Sequence, residues 1–81
     1  MKITMRYFAR VAEVAGCDRE VLELADGATA AEAMAAAAAR HPALAAEGFR
    51  PLLAINRRHA AGDDILGGGD EVAVFPPVSG G

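Results

Sequence analysis

The sequence has 81 residues and a formal net charge of -3, which leaves room for one domain with a modest core. The acidic balance argues against a nucleic-acid partner, because binding phosphates requires a basic face. The single cysteine, Cys17, excludes an intramolecular disulfide and a zinc site of clustered cysteines, and it suits a reducing, cytoplasmic compartment. Charged residues interrupt the amino-terminal segment and the alanine-rich run, so we expect neither a signal peptide nor a membrane span.

The first predicted elements are a strand, a short helix and a second strand. Residues 2–7 alternate between polar and apolar side chains, which is the pattern of a half-buried strand. Residues 8–15 place apolar side chains at helical spacing, and Gly16 supplies a terminator. Residues 21–24 form a short second strand that ends in the turn signal Asp26-Gly27.

The main predicted helix begins at about Ala30. Thr29 and Glu32 form a capping box that satisfies free amides of the first turn. The alanines that follow have the highest intrinsic helix propensity, and Pro42 ends the helix. Their narrow apolar stripe would let the helix lie close to a sheet, so we interpret the alanines as packing spacers.

The carboxyl-terminal half predicts three further strands. A possible helical turn over residues 43–48 precedes strand 52–55, and a polar turn leads to a weak return strand over residues 59–61. A glycine-rich turn at residues 67–70 precedes an apolar strand over residues 72–75, which is typical of a sheet centre.

This element order predicts an α+β fold, a ubiquitin-like β-grasp with a mixed sheet of about five strands on one main helix. We expect a domain over residues 1–75 and a flexible, extended tail over residues 76–81. Because alanine adds little core volume, the larger apolar residues are expected to carry the packing. They are Ile3, Met5, Tyr7, Phe8, Val21, Leu22, Leu24, Met34, Leu44, Phe49, Leu52, Leu53, Ile55, Ile65, Leu66, Val72, Val74 and Phe75.

Little in the spacing of reactive side chains indicates catalysis by the chain alone. No nucleophile and base pairing, phosphate-binding loop or cluster of metal ligands is signalled. His41 is interpreted as a helix-end residue, His59 as a surface strand residue and Arg57-Arg58 as a solvated turn. Cys17 is interpreted as a bystander, because the neighbouring carboxylate of Asp18 would raise its pKa.

The carboxyl-terminal tail is the strongest functional signal. Its residues are Pro76, Pro77, Val78, Ser79, Gly80 and Gly81. The proline pair favours an extended backbone, and the terminal glycines lack the Cβ that would obstruct a narrow channel. The alternative is a frayed terminus with accidental glycines. We therefore predict a tail that threads into a partner's active site and presents the Gly81 carboxylate.

A carboxylate is a poor electrophile, so chemistry on Gly81 requires activation, most simply as an acyl-adenylate made from ATP by a partner enzyme. Attack by a sulfur donor would leave a thiocarboxylate, and the protein would be a sulfur carrier. Attack by a lysine would leave an isopeptide, and the protein would be a modifier.

Several segments resemble the small subunits of molybdopterin synthase, the β-grasp sulfur carriers of molybdenum cofactor biosynthesis. These segments are Arg6-Tyr7-Phe8-Ala9, Ile55-Asn56, Gly69-Asp70-Glu71-Val72 and Phe75-Pro76-Pro77-Val78-Ser79-Gly80-Gly81. The resemblance covers essentially the whole chain, and the last block is its most specific part. The alanine-rich helix departs from the family pattern.

The resemblance implies a non-catalytic, sulfur-carrying subunit of a sulfurtransferase. Gly81 would be adenylated, with AMP transiently linked to it, and then sulfurated by a donor through an adenylyltransferase and sulfurtransferase enzyme. The thiocarboxylate would enter the large synthase subunit, in a heterotetramer of two small and two large subunits, and donate sulfur to cyclic pyranopterin monophosphate. No bound cofactor or metal is implied. Phe75 would lie at the partner interface, although its strand position is equally compatible with the core.

Three rival functions remain open at this point. The first is a sulfur carrier for thiamine thiazole synthesis, whose members share the fold and the terminal Gly-Gly but are typically shorter and lack the Phe-Pro-Pro block. The second is a ubiquitin-like modifier that conjugates Gly81 to lysines. The third is a passive β-grasp binding domain, which would tolerate loss of the tail.

Overall fold

The computed structural model describes residues 1–46 and 50–77, and within them it contains five strands and three helices. The strands are β1 (Lys2–Tyr7), β2 (Arg19–Glu23), β3 (Leu52–Ile55), β4 (Arg58–Ala60) and β5 (Glu71–Phe75). The helices are α1 (Arg10–Ala15), α2 (Ala30–Arg40) and α3 (Pro42–Ala46). None of the helices in this part of the chain is long and apolar enough to cross a bilayer.

All five strands form one mixed sheet in the order β2-β1-β5-β3-β4. The first and last strands lie side by side and parallel, with Tyr7 opposite Val74. The remaining neighbours are antiparallel. The structure therefore confirms the predicted β-grasp, with β1 and β5 paired at the centre of the sheet.

Helix α2 packs on one face of this sheet and starts as predicted. Thr29 accepts a hydrogen bond from the Glu32 backbone at 3.2 Å, and the Glu32 carboxylate accepts one from the Thr29 backbone at 3.0 Å. Ala30, Ala33 and Ala37 have no exposed surface, which confirms that the alanines bring the helix close to the sheet. The core lies between the helices and the inward side chains of β1 and β5. Its members are Ile3, Met5, Tyr7, Val11, Leu22, Ala33, Ala37, Leu44, Leu66, Val72 and Val74.

The opposite side of the sheet, which we call the open face, carries the residues that alternate with the core positions. Four side chains expected in the core are exposed instead. They are Val21 at 53%, Leu52 at 40%, Ile65 at 72% and Phe75 at 36%. The expectation was wrong for Val21, Leu52 and Phe75 because strand alternation places them away from the helices. Ile65 lies outside the named strands, in a bridge to Thr29.

Several predicted boundaries move by one or two residues. Helix α1 begins at Arg10, not at residue 8, because Phe8 still donates a backbone hydrogen bond to Val74 at 3.1 Å and so continues β1. The return strand is Arg58–Ala60, one residue earlier than predicted. Pro42 ends α2 but also opens α3, consistent with the tolerance of proline in a first helical turn.

Candidate functional site

The base of the predicted tail lies at the centre of the sheet. Strand β5 ends at Phe75, after hydrogen bonding on both sides to β1 and β3. Pro76 is half-buried and Pro77 is exposed. The division into a domain of residues 1–75 and a tail of residues 76–81 stays a prediction. The predicted tail residues Val78, Ser79, Gly80 and Gly81 lie outside the described residues.

The Phe75 side chain lies on the open face and not in the core. Its ring stacks on Phe8, with a centroid separation of 4.6 Å and an interplanar angle of 10°. Leu52 is directly opposite Phe75 in the β3 register and is also exposed. Three large apolar side chains thus border the point where the chain leaves the sheet. We call Phe8, Leu52 and Phe75 the aromatic patch.

A cation and an anion border the aromatic patch. The Arg6 guanidinium lies 5.2 Å from the centre of the Phe8 ring, within the range of a cation–π interaction. The same side chain forms a 3.8 Å ion pair with Glu71 across β1 and β5. This pair is one-third exposed on both sides, so we assign it a positioning role and only a small contribution to stability.

The amino-terminal end of β5 is held by Asn56, in the two-residue loop between β3 and β4. Its amide nitrogen donates to the Asp70 carboxylate at 2.9 Å, and its amide oxygen accepts from the Glu71 backbone at 2.9 Å. The Gly67 backbone donates to the other Asp70 oxygen at 2.7 Å. These hydrogen bonds, foremost that from Gly67, lower the pKa of Asp70. The strand that carries the tail is therefore fixed at both ends.

A second group of polar side chains lies between α2 and β2. His41 Nε2 is 2.8 Å from a carboxylate oxygen of Glu20 and 3.9 Å from the Cys17 sulfur. Tyr7 donates a short hydrogen bond to the same Glu20 oxygen. Arg40 Nε lies 3.2 Å from the other Glu20 oxygen. The spacing along the chain does not signal this cluster, because three separate elements supply it.

Burial and the Glu20 charge raise the pKa of two members of this cluster, Cys17 and Tyr7. Desolvation, followed by the Glu20 carboxylate, raises the pKa of Cys17. The sequence-based expectation of a raised pKa is therefore confirmed, but burial is the main cause and Asp18 is a minor one. Burial and the hydrogen bond to Glu20 also raise the pKa of Tyr7 well above its usual range. As a thiol, Cys17 is a weak nucleophile.

Of the other titratable residues singled out in the sequence, His41, His59 and Arg57 lie where the pattern predicted, whereas Arg58 lies in a strand and not in the predicted turn. His41 caps the carboxyl-terminal end of α2, and His59 is exposed on β4. Arg57 has a positive φ of 70° in the turn before β4, and Arg58 is the first residue of that strand.

Comparisons with known proteins cover nearly the whole chain. The model of the ThiS family matches residues 5–81. The chain belongs to the ThiS family. A Chlamydomonas reinhardtii relative named molybdopterin synthase sulfur carrier subunit is 41% identical over 83 residues, with all of both chains covered. A Haloferax volcanii relative named small archaeal modifier protein 1 is 36% identical, with 94% of this chain and 97% of the relative covered.

The crystal structure of SAMP1 from Haloferax volcanii has the same fold as this ThiS family member. The TM-score is 0.89 at 34% identity, with complete coverage of both chains. The resemblance to molybdopterin synthase small subunits, first drawn from short motifs, is confirmed by the full-length relative. Two of the motif residues have structural roles. Tyr7 is buried in the core, and Asn56 holds the start of β5 by hydrogen bonds.

Sequence reasoning missed two features of the region around the tail. The first is the aromatic patch, since Phe8 was assigned to a helix and Leu52 to the core. Alternation in β1 and β3 was the available signal, because it places Arg6 and Leu52 on the face opposite the core residues. The second is the pair of hydrogen bonds from Asn56 to Asp70 and Glu71. These residues are 14 and 15 positions away along the chain, so no local sequence pattern signals the contacts.

Proposed function

We propose that this protein is a sulfur carrier that acts as the small subunit of molybdopterin synthase. Its Gly81 carboxylate is adenylated, converted to a thiocarboxylate, and donates sulfur to cyclic pyranopterin monophosphate. The observation that carries the proposal is the full-length match to a relative named molybdopterin synthase sulfur carrier subunit, with a family match that reaches Gly81. The β-grasp fold and the residue types of the tail support the same function.

The position of β5 supports a role for the tail as an arm. The strand is hydrogen-bonded on both sides, so its end at Phe75 is a fixed point. Pro76 and Pro77 restrict the backbone that follows. In an extended conformation, residues 76–81 span roughly 15 to 20 Å, at about 3 Å per residue. That length allows the Gly81 carboxylate to reach an active site well inside a partner.

The chemistry requires two partners before sulfur is delivered. A carboxylate oxygen of Gly81 attacks the α-phosphorus of ATP in the activating enzyme, and pyrophosphate leaves. A sulfide equivalent from a donor then attacks the acyl carbon, and AMP leaves. Gly80 contributes by lacking a Cβ, because a narrow channel accepts it without a clash. The chain itself supplies the acyl group and no catalytic side chain.

The aromatic patch supports docking of the large synthase subunit on the open face. Interface centres are enriched in aromatic residues, and Phe75 directly precedes the tail, so docking there would align the tail with the partner's pocket. We propose a heterotetramer with two copies of each subunit. The cation Arg6 and the anion Glu71 at the border of the patch would set the register of docking more than its affinity.

The decisive experiment follows the intact mass of the full chain after incubation with ATP, an activating enzyme and a sulfur donor. We expect one terminal oxygen to be replaced by sulfur, with fragmentation placing the change at Gly81. The thiocarboxylated protein is then mixed with a large subunit and cyclic pyranopterin monophosphate, and we expect molybdopterin to form. A thiocarboxylate that forms but is not consumed would overturn the molybdopterin assignment and retain sulfur carriage.

A ubiquitin-like modifier is the second candidate, and the relative named small archaeal modifier protein 1 favours it. The two functions share adenylation of Gly81 and differ in the nucleophile. Adducts of higher mass, with an isopeptide between Gly81 and a lysine of another protein, would support the modifier. A variant with Gly81 deleted is the control for both, because neither product can form without that carboxylate.

A further inference from the structure

We propose that Cys17, Glu20 and His41 form a binding site for a borderline divalent cation, Zn²⁺ in the first instance. The three residues come from the turn after α1, from β2 and from the end of α2. One donor atom from each lies within 4.8 Å of the other two. None of these residues belongs to the tail, and the proposal is independent of the proposed sulfur chemistry.

The geometry of His41 distinguishes a metal site from a catalytic triad. In a triad, one ring nitrogen faces the nucleophile and the other faces the carboxylate. Here the same nitrogen, Nε2, lies 3.9 Å from the Cys17 sulfur and 2.8 Å from the Glu20 carboxylate. A proton relay from thiol to carboxylate therefore has no route through the ring. The sulfur, nitrogen and oxygen atoms instead lie close together, each within 4.8 Å of the other two.

The two distances from His41 Nε2 require only small side-chain movements to accept zinc. Tetrahedral zinc with ordinary bond lengths separates nitrogen from oxygen by about 3.4 Å and nitrogen from sulfur by about 3.6 Å. The His41 to Glu20 distance of 2.8 Å would widen, and the His41 to Cys17 distance of 3.9 Å would shorten. The first change is about 0.6 Å and the second about 0.3 Å. The cation would take the place of the hydrogen bond between His41 and Glu20.

Charge and ligand type favour Zn²⁺ over Mg²⁺ or Ca²⁺. A thiolate and a carboxylate together neutralise a divalent cation, and a set of sulfur, nitrogen and oxygen ligands is typical of zinc and not of hard cations. The Glu20 and His41 side chains are only 11% and 20% exposed, so the site is partly shielded yet reachable from solvent. Three protein ligands leave a fourth position for water or an outside ligand.

Two neighbouring residues are placed to orient Glu20. Tyr7 donates to the oxygen that faces His41, and Arg40 contacts the other oxygen at 3.2 Å. Hydrogen bonds of this kind fix ligand orientation, and their loss typically lowers metal affinity about 10- to 100-fold. We assign Tyr7 as a positioning residue, since its ring is buried in the core.

The test uses Co²⁺ as a spectroscopic probe and Zn²⁺ as a competitor, on the full chain with a reduced thiol. We expect one equivalent of Co²⁺ to bind, with a thiolate-to-cobalt charge-transfer band and intense tetrahedral ligand-field bands that Zn²⁺ abolishes. Cys17→Ser should remove the charge-transfer band. Glu20→Gln keeps the thiol and should weaken Co²⁺ binding more than 10-fold. Tyr7→Phe should weaken binding about 10-fold while keeping the bands.

His59→Ala is the matched control, because His59 is an exposed histidine on β4 and no part of the cluster. It should leave Co²⁺ affinity unchanged, whereas His41→Ala should remove the ligand-field bands. The proposal would be overturned if no charge-transfer band appears at saturating Co²⁺, or if Glu20→Gln binds as tightly as the parent chain. It would equally fail if His59→Ala weakens binding as much as His41→Ala. Circular dichroism of each variant without metal separates unfolding from ligand loss.

Discussion

Ala9 is held in a backbone conformation that favours glycine. Its φ is 52° and its ψ is -128°, and the Val11 backbone donates to the Phe8 carbonyl at 3.0 Å. This is a type II′ turn with Ala9 at the first central position, where glycine predominates. We expect Ala9→Gly to stabilise the protein by about 1 kcal/mol, because strain of this kind costs about 1–3 kcal/mol.

Thermal or denaturant unfolding of Ala9→Gly, compared with Ala39→Gly, measures this effect. Ala39 is exposed in the last turn of α2, where replacing alanine by glycine costs up to about 1 kcal/mol. Opposite signs for the two variants are expected. Equal destabilisation by both would show that the Ala9 turn stores no strain.

Asp70 gives the fold an acid-sensitive attachment for β5. Because hydrogen bonds from Gly67 and Asn56 lower its pKa in the folded state, its carboxylate stabilises the fold fully above its usual pKa near 3.8. That contribution is lost as the pH falls through the lowered folded value. Asp70→Asn should therefore lower the free energy of unfolding at neutral pH, and its deficit relative to the parent chain should shrink below about pH 4.

Urea unfolding of both proteins across the acid range measures this difference. Asp63→Asn, in the exposed loop after β4, removes the same charge without the contacts to Gly67 and Asn56. A deficit that is constant with pH would contradict the assigned role of Asp70.

At the scale of elements, the buried alanines of α2 determine how closely the helix approaches the sheet. Ala37 has no exposed surface, whereas Ala39 two residues later is exposed. We expect Ala37→Leu to destabilise the fold by about 1–3 kcal/mol through overpacking. Ala39→Leu adds the same side chain to solvent and should change stability by less than about 0.5 kcal/mol. Denaturation midpoints that move equally would contradict the spacer interpretation.

Elements with a local signature were predictable, and contacts between distant elements were not. The capping box at Thr29 predicted the start of α2 correctly, and the polar and apolar alternation predicted β1 correctly. Each of these signals depends on residues only a few positions apart. Phe8 was misassigned because its apolar character fits a helix stripe and a strand end equally well. The tail, whose residues are contiguous in the sequence, stays a prediction. The Cys17, Glu20 and His41 cluster joins positions up to 24 apart, so only the folded chain brings it together.

For the whole molecule, the core and the proposed site of carrier chemistry lie in different parts of the chain. The core consists of residues between Ile3 and Val74, and Gly81 lies seven positions beyond its last member. We therefore expect deletion of Gly81 to leave the melting temperature unchanged and to abolish adenylate and thiocarboxylate formation. Gly80→Val should also block activation, through its branched Cβ, and Gly80→Ala should block it less. Mass spectrometry with ATP and the activating enzyme reads out each variant. Normal sulfuration of the truncated chain would refute the carrier function.

Docking of the large subunit should depend on the open face even when the tail is intact. Phe75 is 36% exposed and stacks on Phe8, so truncating it removes part of the aromatic patch with little loss of core packing. We expect Phe75→Ala to weaken binding to the large subunit by about 2 kcal/mol, or roughly 30-fold, as for a central aromatic anchor. Ile65→Ala is the matched control, since Ile65 is more exposed and lies outside the named strands. Titration calorimetry of both variants gives the comparison.

Because Gly81 deletion removes the transferable group but not the aromatic patch, it should lower affinity for the large subunit less than Phe75→Ala does. The reverse order would mean that the tail supplies most of the binding energy and that the open face serves another purpose.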